Sequence, residues 1–174
     1  MRRSIAVMAA VVAPLGVVLA GTADAAPQVQ TVTLYYDASG APDYAAQIDQ
    51  AAANWNSLTT TVKLQSGGEA TIVIHETNDG QGSYTQTDGH GHGDIYIDQQ
   101  QVAEGFDPTR IAAHELGHNM GLADDYTGPC SEVMSGHGPG TSCTNAIPDA
   151  DEVAEVDANF ADGIAAPAAR HEVA

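Results

Sequence analysis

Cations are scarce in this chain: Lys and Arg together number 5 in 174 residues, against 23 Asp and Glu. The formal charge is −18 with histidine neutral. Such a chain repels nucleic acid and anionic membranes, which argues against functions that need either as a partner. It attracts divalent cations. Long apolar runs are also missing, with one exception. Ile5 to Ala20 is apolar but broken by Pro14; it follows Arg2 and Arg3 and precedes the small-x-small stretch Ala23-Asp24-Ala25. That run is too short for a membrane span and has the flanks of a cleavable secretory signal, residues 1–25. Nothing else in the sequence can cross a bilayer. A secreted, extracellular protein is expected, with Lys63, Arg110 and Arg170 as its remaining Lys and Arg.

Cysteine is nearly absent too. Only Cys130 and Cys143 occur, and an even count in an exported chain suggests one disulfide. Closing a loop of about 14 residues contributes about 3 kcal/mol in the chain-entropy model. Internal repeats are lacking, and the length suits one domain rather than two. Residues 26–30 read as a short pro-like or N-terminal extension, 31–163 as the domain and 164–174 as a flexible tail.

Within the domain, "TVTLYY" (31–36) alternates and reads as a strand. Asp43 to Leu58 reads as a helix with Ala45, Ile48, Ala52 and Trp55 on one stripe. Val62 to Leu64, Ala70 to Glu76 and Asp94 to Asp98 read as strands. The stretch from Asn78 to Gly93, rich in Gly, Asp, Thr and Ser, reads as a loop. Asp107-Pro108 is an N-cap followed by a first-turn proline. The helix it opens runs to about Met120 and stops at Gly121. Pro148 to Phe160 reads as a last helix, with Val153, Val156 and Phe160 apolar. Strands and a helix followed by helices and loops predict an α+β fold.

The helix opened by Asp107-Pro108 carries "HELGH", His114 to His118. At about 100° per residue, His118 falls about 40° from His114, so both rings can address one ion. Glu115 is rotated about 100° away, towards a water rather than the ion. Two histidines leave a zinc site one protein ligand short. The extended pattern is H-E-x-x-H-x-x-G-x-x-D, and its last position is Asp124, where metzincins usually place a third histidine. Asp125 is one residue out of register. Downstream, Val133-Met134-Ser135-Gly136 is similar to the Met-turn of metzincins, with Met134 as its methionine.

These stretches, with "DPTRIAAHELGHNMGLADDY", "GPCSEVMSG", "GPGTSCTN", "GSYTQTDGHG" and "NWNS", resemble the snapalysins, small secreted bacterial neutral metalloproteases. The resemblance covers most of Thr31 to about Gly163. It implies a metzincin-like domain with a twisted mixed sheet, an active-site helix and an irregular lower part. It implies zinc on His114, His118 and Asp124, Glu115 as the catalytic base and a Cys130–Cys143 disulfide. It further implies a calcium site near Asp107 and Thr109, and cleavage of protein or peptide substrates before an aromatic residue. Asp107 also has a complete N-cap explanation, and two oxygen donors are few for a calcium shell. The resemblance implies a propeptide, which precursors of the family usually carry, whereas only Ala26 to Gln30 separates the expected cleavage site from the first strand here.

In mechanism, zinc with two neutral imidazoles and one carboxylate carries net +1 and acts as a Lewis acid. Glu115 shuttles the proton. Tyr126, just past the third ligand, is placed either to donate to an oxyanion or to pack structurally. Rival readings keep the zinc but change the class. An aspzincin takes its ligand from Asp149, Asp151 or Asp157, and a gluzincin from Glu152 or Glu155. A secreted binding or inhibitory module needs no base such as Glu115. His90 and His92 invite a second metal, but alternate spacing among glycines favours a flexible loop. His75 and His137 have no evident partner, and His171-Glu172 lacks a second histidine. A monomer is expected.

Overall fold

The computed structural model describes residues 31–163. The signal segment, the extension at 26–30 and the tail lie outside the described residues. The chain forms β1 (Val32–Gly40), α1 (Ala45–Leu58), β2 (Val62–Ser66), β3 (Ile72–Thr77), β4 (Tyr84–Thr87), β5 (Gly93–Asp98), α2 (Gln99–Ala103), α3 (Pro108–Asn119) and α4 (Ala150–Asn159). The strands make one mixed sheet in the order β2-β1-β3-β5-β4. β1 runs parallel to β2 and β3, and β3 parallel to β5. β4 alone is antiparallel, with Tyr84 opposite Tyr96 and Thr87 opposite Gly93. The α+β architecture is the expected one.

Period-2 alternation decides which strand face is buried. Leu34 and Tyr36, Val62 and Leu64, Ile72 and Ile74, and Ile95 and Ile97 all point to one side and are buried. α1 and α3 pack against the sheet and against each other. Ile48, Ala51, Ala52 and Trp55 are the buried residues of α1; Ala51 replaces the expected Ala45, which is only half-buried. Trp55 gives its indole N–H to Ala113 O at 2.9 Å and so ties α1 to α3.

Four elements differ from the sequence reading. The stretch expected as a loop from Asn78 to Gly93 contains β4. That strand is polar because it lies at the sheet edge, with only Thr85 buried. α2 is short and capped by Asp98, whose carboxylate accepts the Gln100 N–H. α1 is entered through a 3₁₀ turn at Pro42–Tyr44 rather than directly at Asp43. α4 begins at Ala150, because Asp149 is its N-cap in a full capping box with Glu152.

Candidate metal centre

α3 begins as expected, with Asp107 accepting the Arg110 N–H at 2.8 Å. Its end does more than stop the helix. Gly121 adopts φ +92°, a conformation glycine tolerates. The Gly121 N–H bonds to His118 O and the Leu122 N–H to Gly117 O, the pair of bonds that defines a Schellman motif. This turn brings Leu122 O to 2.9 Å from His118 Nδ1. The terminator therefore also orients a side chain.

His114 is fixed in the same way from another segment: its Nδ1 lies 3.1 Å from Val133 O. A carbonyl can only accept, so in each neutral ring Nδ1 carries the proton and Nε2 presents a lone pair. The two Nε2 atoms are 3.2 Å apart. Asp124 Oδ1 completes a triangle at 3.1 Å from His114 Nε2 and 3.4 Å from His118 Nε2. That oxygen is buried and has no hydrogen-bond donor. Three lone pairs converging in a buried place repel one another unless a cation lies among them. For a tetrahedral zinc with N and O ligands at about 2.0–2.1 Å, ligand atoms stand about 3.3 Å apart. The triangle fits that ion.

The local field has the same sense. Burial alone pushes the Asp124 carboxyl up, but positive charge and donors on the two imidazoles, standing where a cation would, more than offset this and hold it well below the usual carboxylate range. Burial alone pushes His118 down, but Asp124 and Glu115 raise it. The centre is built for positive charge.

Glu115 is buried, and its Oε2 accepts the Thr85 hydroxyl of β4 at 2.7 Å. One of its oxygens and one ring nitrogen from each histidine lie within 4.8 Å of one another. Tyr126 is 43 % exposed. Desolvation of its phenol, and next the charge of Asp124, push its pKa up to about 12. It is a proton donor throughout the neutral range.

α3 is enclosed on all sides over most of its length. Every residue from Arg110 to Asn119 is buried. The histidine side is covered by the irregular segment after Asp124, in which Met134 lies against Gly117. A Cβ at Gly117 would meet Met134 Sδ at 2.5 Å, so the middle glycine of "HELGH" makes room for that methionine. Cys130 and Cys143 are bonded.

The remaining candidates are elsewhere. Asp125 is exposed and caps Thr127 at 2.7 Å. Glu152 binds the Met134 N–H, Asp149 caps α4, and Asp157 binds Thr60 and Thr61. Asp151 and Glu155 are exposed. None of these joins the histidines, so the structure gives the aspzincin and gluzincin readings no ligand. Asp107 is spent on its cap, and neither it nor Thr109 joins the one cluster of three or more metal-type ligands among the described residues. His92 pairs with Asp88 at 2.9 Å, and His90 lies edge-on to Phe160. His75 does have a partner, Asp94 at 2.8 Å, and stacks on Tyr96. His137 packs against Tyr126 with ring centroids 4.5 Å apart and the planes tilted by 36°. The sequence reading passed over Thr85 and Arg110, because neither belongs to a local pattern. Their roles arise from contacts 30 and 26 residues away.

A narrow cleft opens beside His114 and Glu115; Ser83, Gln101, Phe106, Ile111, Tyr126 and His137 help to line it.

Residues 31–163 match the Streptomyces extracellular neutral proteinase (M7) family. The chain belongs to this family, the snapalysins. It is therefore a metalloprotease. The extracellular small neutral protease of Streptomyces caespitosus is 53% identical over 133 residues, which are 76% of this chain and 100% of that protein. The protein of the same name from Streptomyces sp. (strain C5) is 50% identical over 136 residues, but these are only 59% of its length. Among solved structures, myroilysin aligns with TM-score 0.49 and 14% identity over 77% of this snapalysin-family chain and 94% of its own, a loose likeness. Among the described residues no helix is long and apolar enough to cross a membrane.

Proposed function

We propose that the chain is a secreted zinc endopeptidase in which His114, His118 and Asp124 hold the metal and Glu115 is the general base. The observation that carries this reading is the triangle of His114 Nε2, His118 Nε2 and Asp124 Oδ1, with sides of 3.1 to 3.4 Å and no proton to share. Zinc bound there supplies Lewis acidity, for acidifying a water and polarising a carbonyl. The chain supplies the rest. Glu115 takes a proton from the attacking water and returns it to the leaving amine. The Thr85 hydroxyl holds Oε2, leaving the other carboxylate oxygen for that transfer. Tyr126, a neutral phenol at about pH 7, donates to the oxyanion as the carbonyl becomes tetrahedral.

The family relatives are named extracellular, and residues 1–25 have the pattern of a secretory signal; together these support secretion. Preference for an aromatic residue after the scissile bond is supported by the apolar Phe106 and Ile111 in the cleft. The cleft is narrow, about 40 Å³. Calcium at Asp107 and Thr109 has no comparable support, and the proposed centre needs zinc alone.

The test is a pair of alanine variants. Asp124→Ala should lose zinc and peptidase activity together, while Asp125→Ala should keep both. Zinc content by elemental analysis and cleavage of a peptide library read the outcome. Loss of metal in Asp125→Ala with retention in Asp124→Ala would reject the ligand set. Equal cleavage before all residue types would reject the aromatic preference.

A further inference from the structure

Below α3, the segment from Glu132 to Gly136 is held by a buried cation and a buried anion that act on it separately. Arg110 lies on α3 one turn before His114 and is 4% exposed. Its five N–H donors all have acceptors. Nε donates to Gly136 O at 3.2 Å, Nη1 to Asn145 O at 2.6 Å and Cys130 O at 3.4 Å, and Nη2 to Glu132 O at 2.9 Å and Ser135 Oγ at 2.8 Å. Every acceptor is neutral. A buried guanidinium normally takes a carboxylate; this one takes the backbone of a loop. Glu152, on α4, is 8% exposed. Its Oε1 accepts the Met134 N–H at 2.6 Å and its Oε2 the Asp149 N–H at 2.7 Å.

What lies between these two charges decides their role. Val133 O accepts the His114 Nδ1–H. The next carbonyl, Met134 O, accepts the Asp125 N–H at 2.8 Å, one residue beyond Asp124. Two successive peptide units of the held segment thus set a histidine ring and the turn that carries the carboxylate. We propose that Arg110 and Glu152 are positioning residues for the metal centre, acting through the peptide units of Glu132 to Gly136 on His114 and Asp124. This rests on His114, His118 and Asp124 being the ligands.

A merely structural brace changes stability alone. A positioning pair also changes the ligand field and the affinity for metal in protein that is still folded. Arg110→Lys keeps the charge but has three donors for five acceptors and no planar fork. In the full secreted chain it should bind zinc about 10- to 100-fold more weakly, the usual cost of removing an outer partner of a metal ligand. With cobalt(II) as the probe, its visible bands should shift from those of the wild type. Peptidase kcat should fall by about tenfold or more, with KM nearly unchanged. Glu152→Gln keeps an acceptor for the Met134 N–H and should move each readout the same way by less. It decides the matter should Arg110→Lys not fold. A wild-type cobalt spectrum and wild-type zinc affinity in the folded variant, with only a lower melting temperature, would overturn the proposal. Failure of the ligand reading shows differently: His114→Ala would bind cobalt as tightly as wild type, which removes the centre to be positioned.

Discussion

At the scale of single residues, Glu115 shows how a base is kept apart from the ligand it adjoins. Helix geometry turns its carboxylate away from the His114–His118 pair, and Thr85 of β4 then fixes it at 2.7 Å. Glu115→Gln should therefore leave the metal bound and remove the proton acceptor. Turnover should fall by about 10²- to 10⁴-fold, the usual worth of general acid–base catalysis. Zinc content measured beside peptide cleavage separates the two effects, and near-normal turnover with metal bound would sink the assignment of the base. The meeting of the two histidines was legible from spacing, because a helix places positions four apart together; Asp124 was picked by its register against the metzincin pattern beyond Gly121. What held them was not legible. The carbonyls of Val133 and Leu122 are unmarked peptide groups, and no side-chain pattern announces which of them faces a ring.

At the scale of elements, legibility followed the strength of local signals. α3 has an N-cap, an N-terminal proline and a C-terminal glycine, and all three behaved as expected. β4 has none of these; at the edge of the sheet it buries one threonine, and its sequence "YTQT" is as polar as a loop. The sheet order is a matter of long-range pairing that period-2 alternation cannot specify. α4 illustrates a contact between elements with a testable charge. Asp157 accepts the N–H and hydroxyl groups of both Thr60 and Thr61, at 2.7 to 3.0 Å. Partial burial pushes its pKa up, but these bonds win and hold it below the usual carboxylate range. The folded value is the depressed one. The stabilisation is therefore present above the ordinary carboxylate pKa of about 3.9 and is lost as pH falls through the folded value. Between about pH 6 and pH 3 the urea midpoint of the wild type should fall more steeply than that of Asp157→Asn. Parallel slopes would remove Asp157 from the account. At neutral pH, Asp157→Ala should cost about 1–3 kcal/mol, as for hydrogen bonds to a charged group.

At the scale of the whole molecule, the ligand rings are oriented by backbone that belongs to the fold, so the domain should keep its shape when metal is removed and lose only the free energy of binding it. With free zinc at 100 times Kd that is about 2.7 kcal/mol, or a fall in Tm of about 10 °C on chelation for a domain of this size. Far-UV circular dichroism should change little. Asp124→Ala should respond to the chelator much less, and an equal response would place the stabilising ion elsewhere. The bond between Cys130 and Cys143 has a consequence of another kind. The span it encloses includes the exposed His137, Gly138, Thr141 and Ser142, accessible chain on a molecule that lives among copies of itself, each able to cut peptide bonds. A nick there opens the backbone but frees no fragment, since both new ends stay tethered through sulfur. Wear at this site accumulates in intact particles. A preparation nicked there should run as one band on a non-reducing gel and as two shorter ones once the thiols are restored.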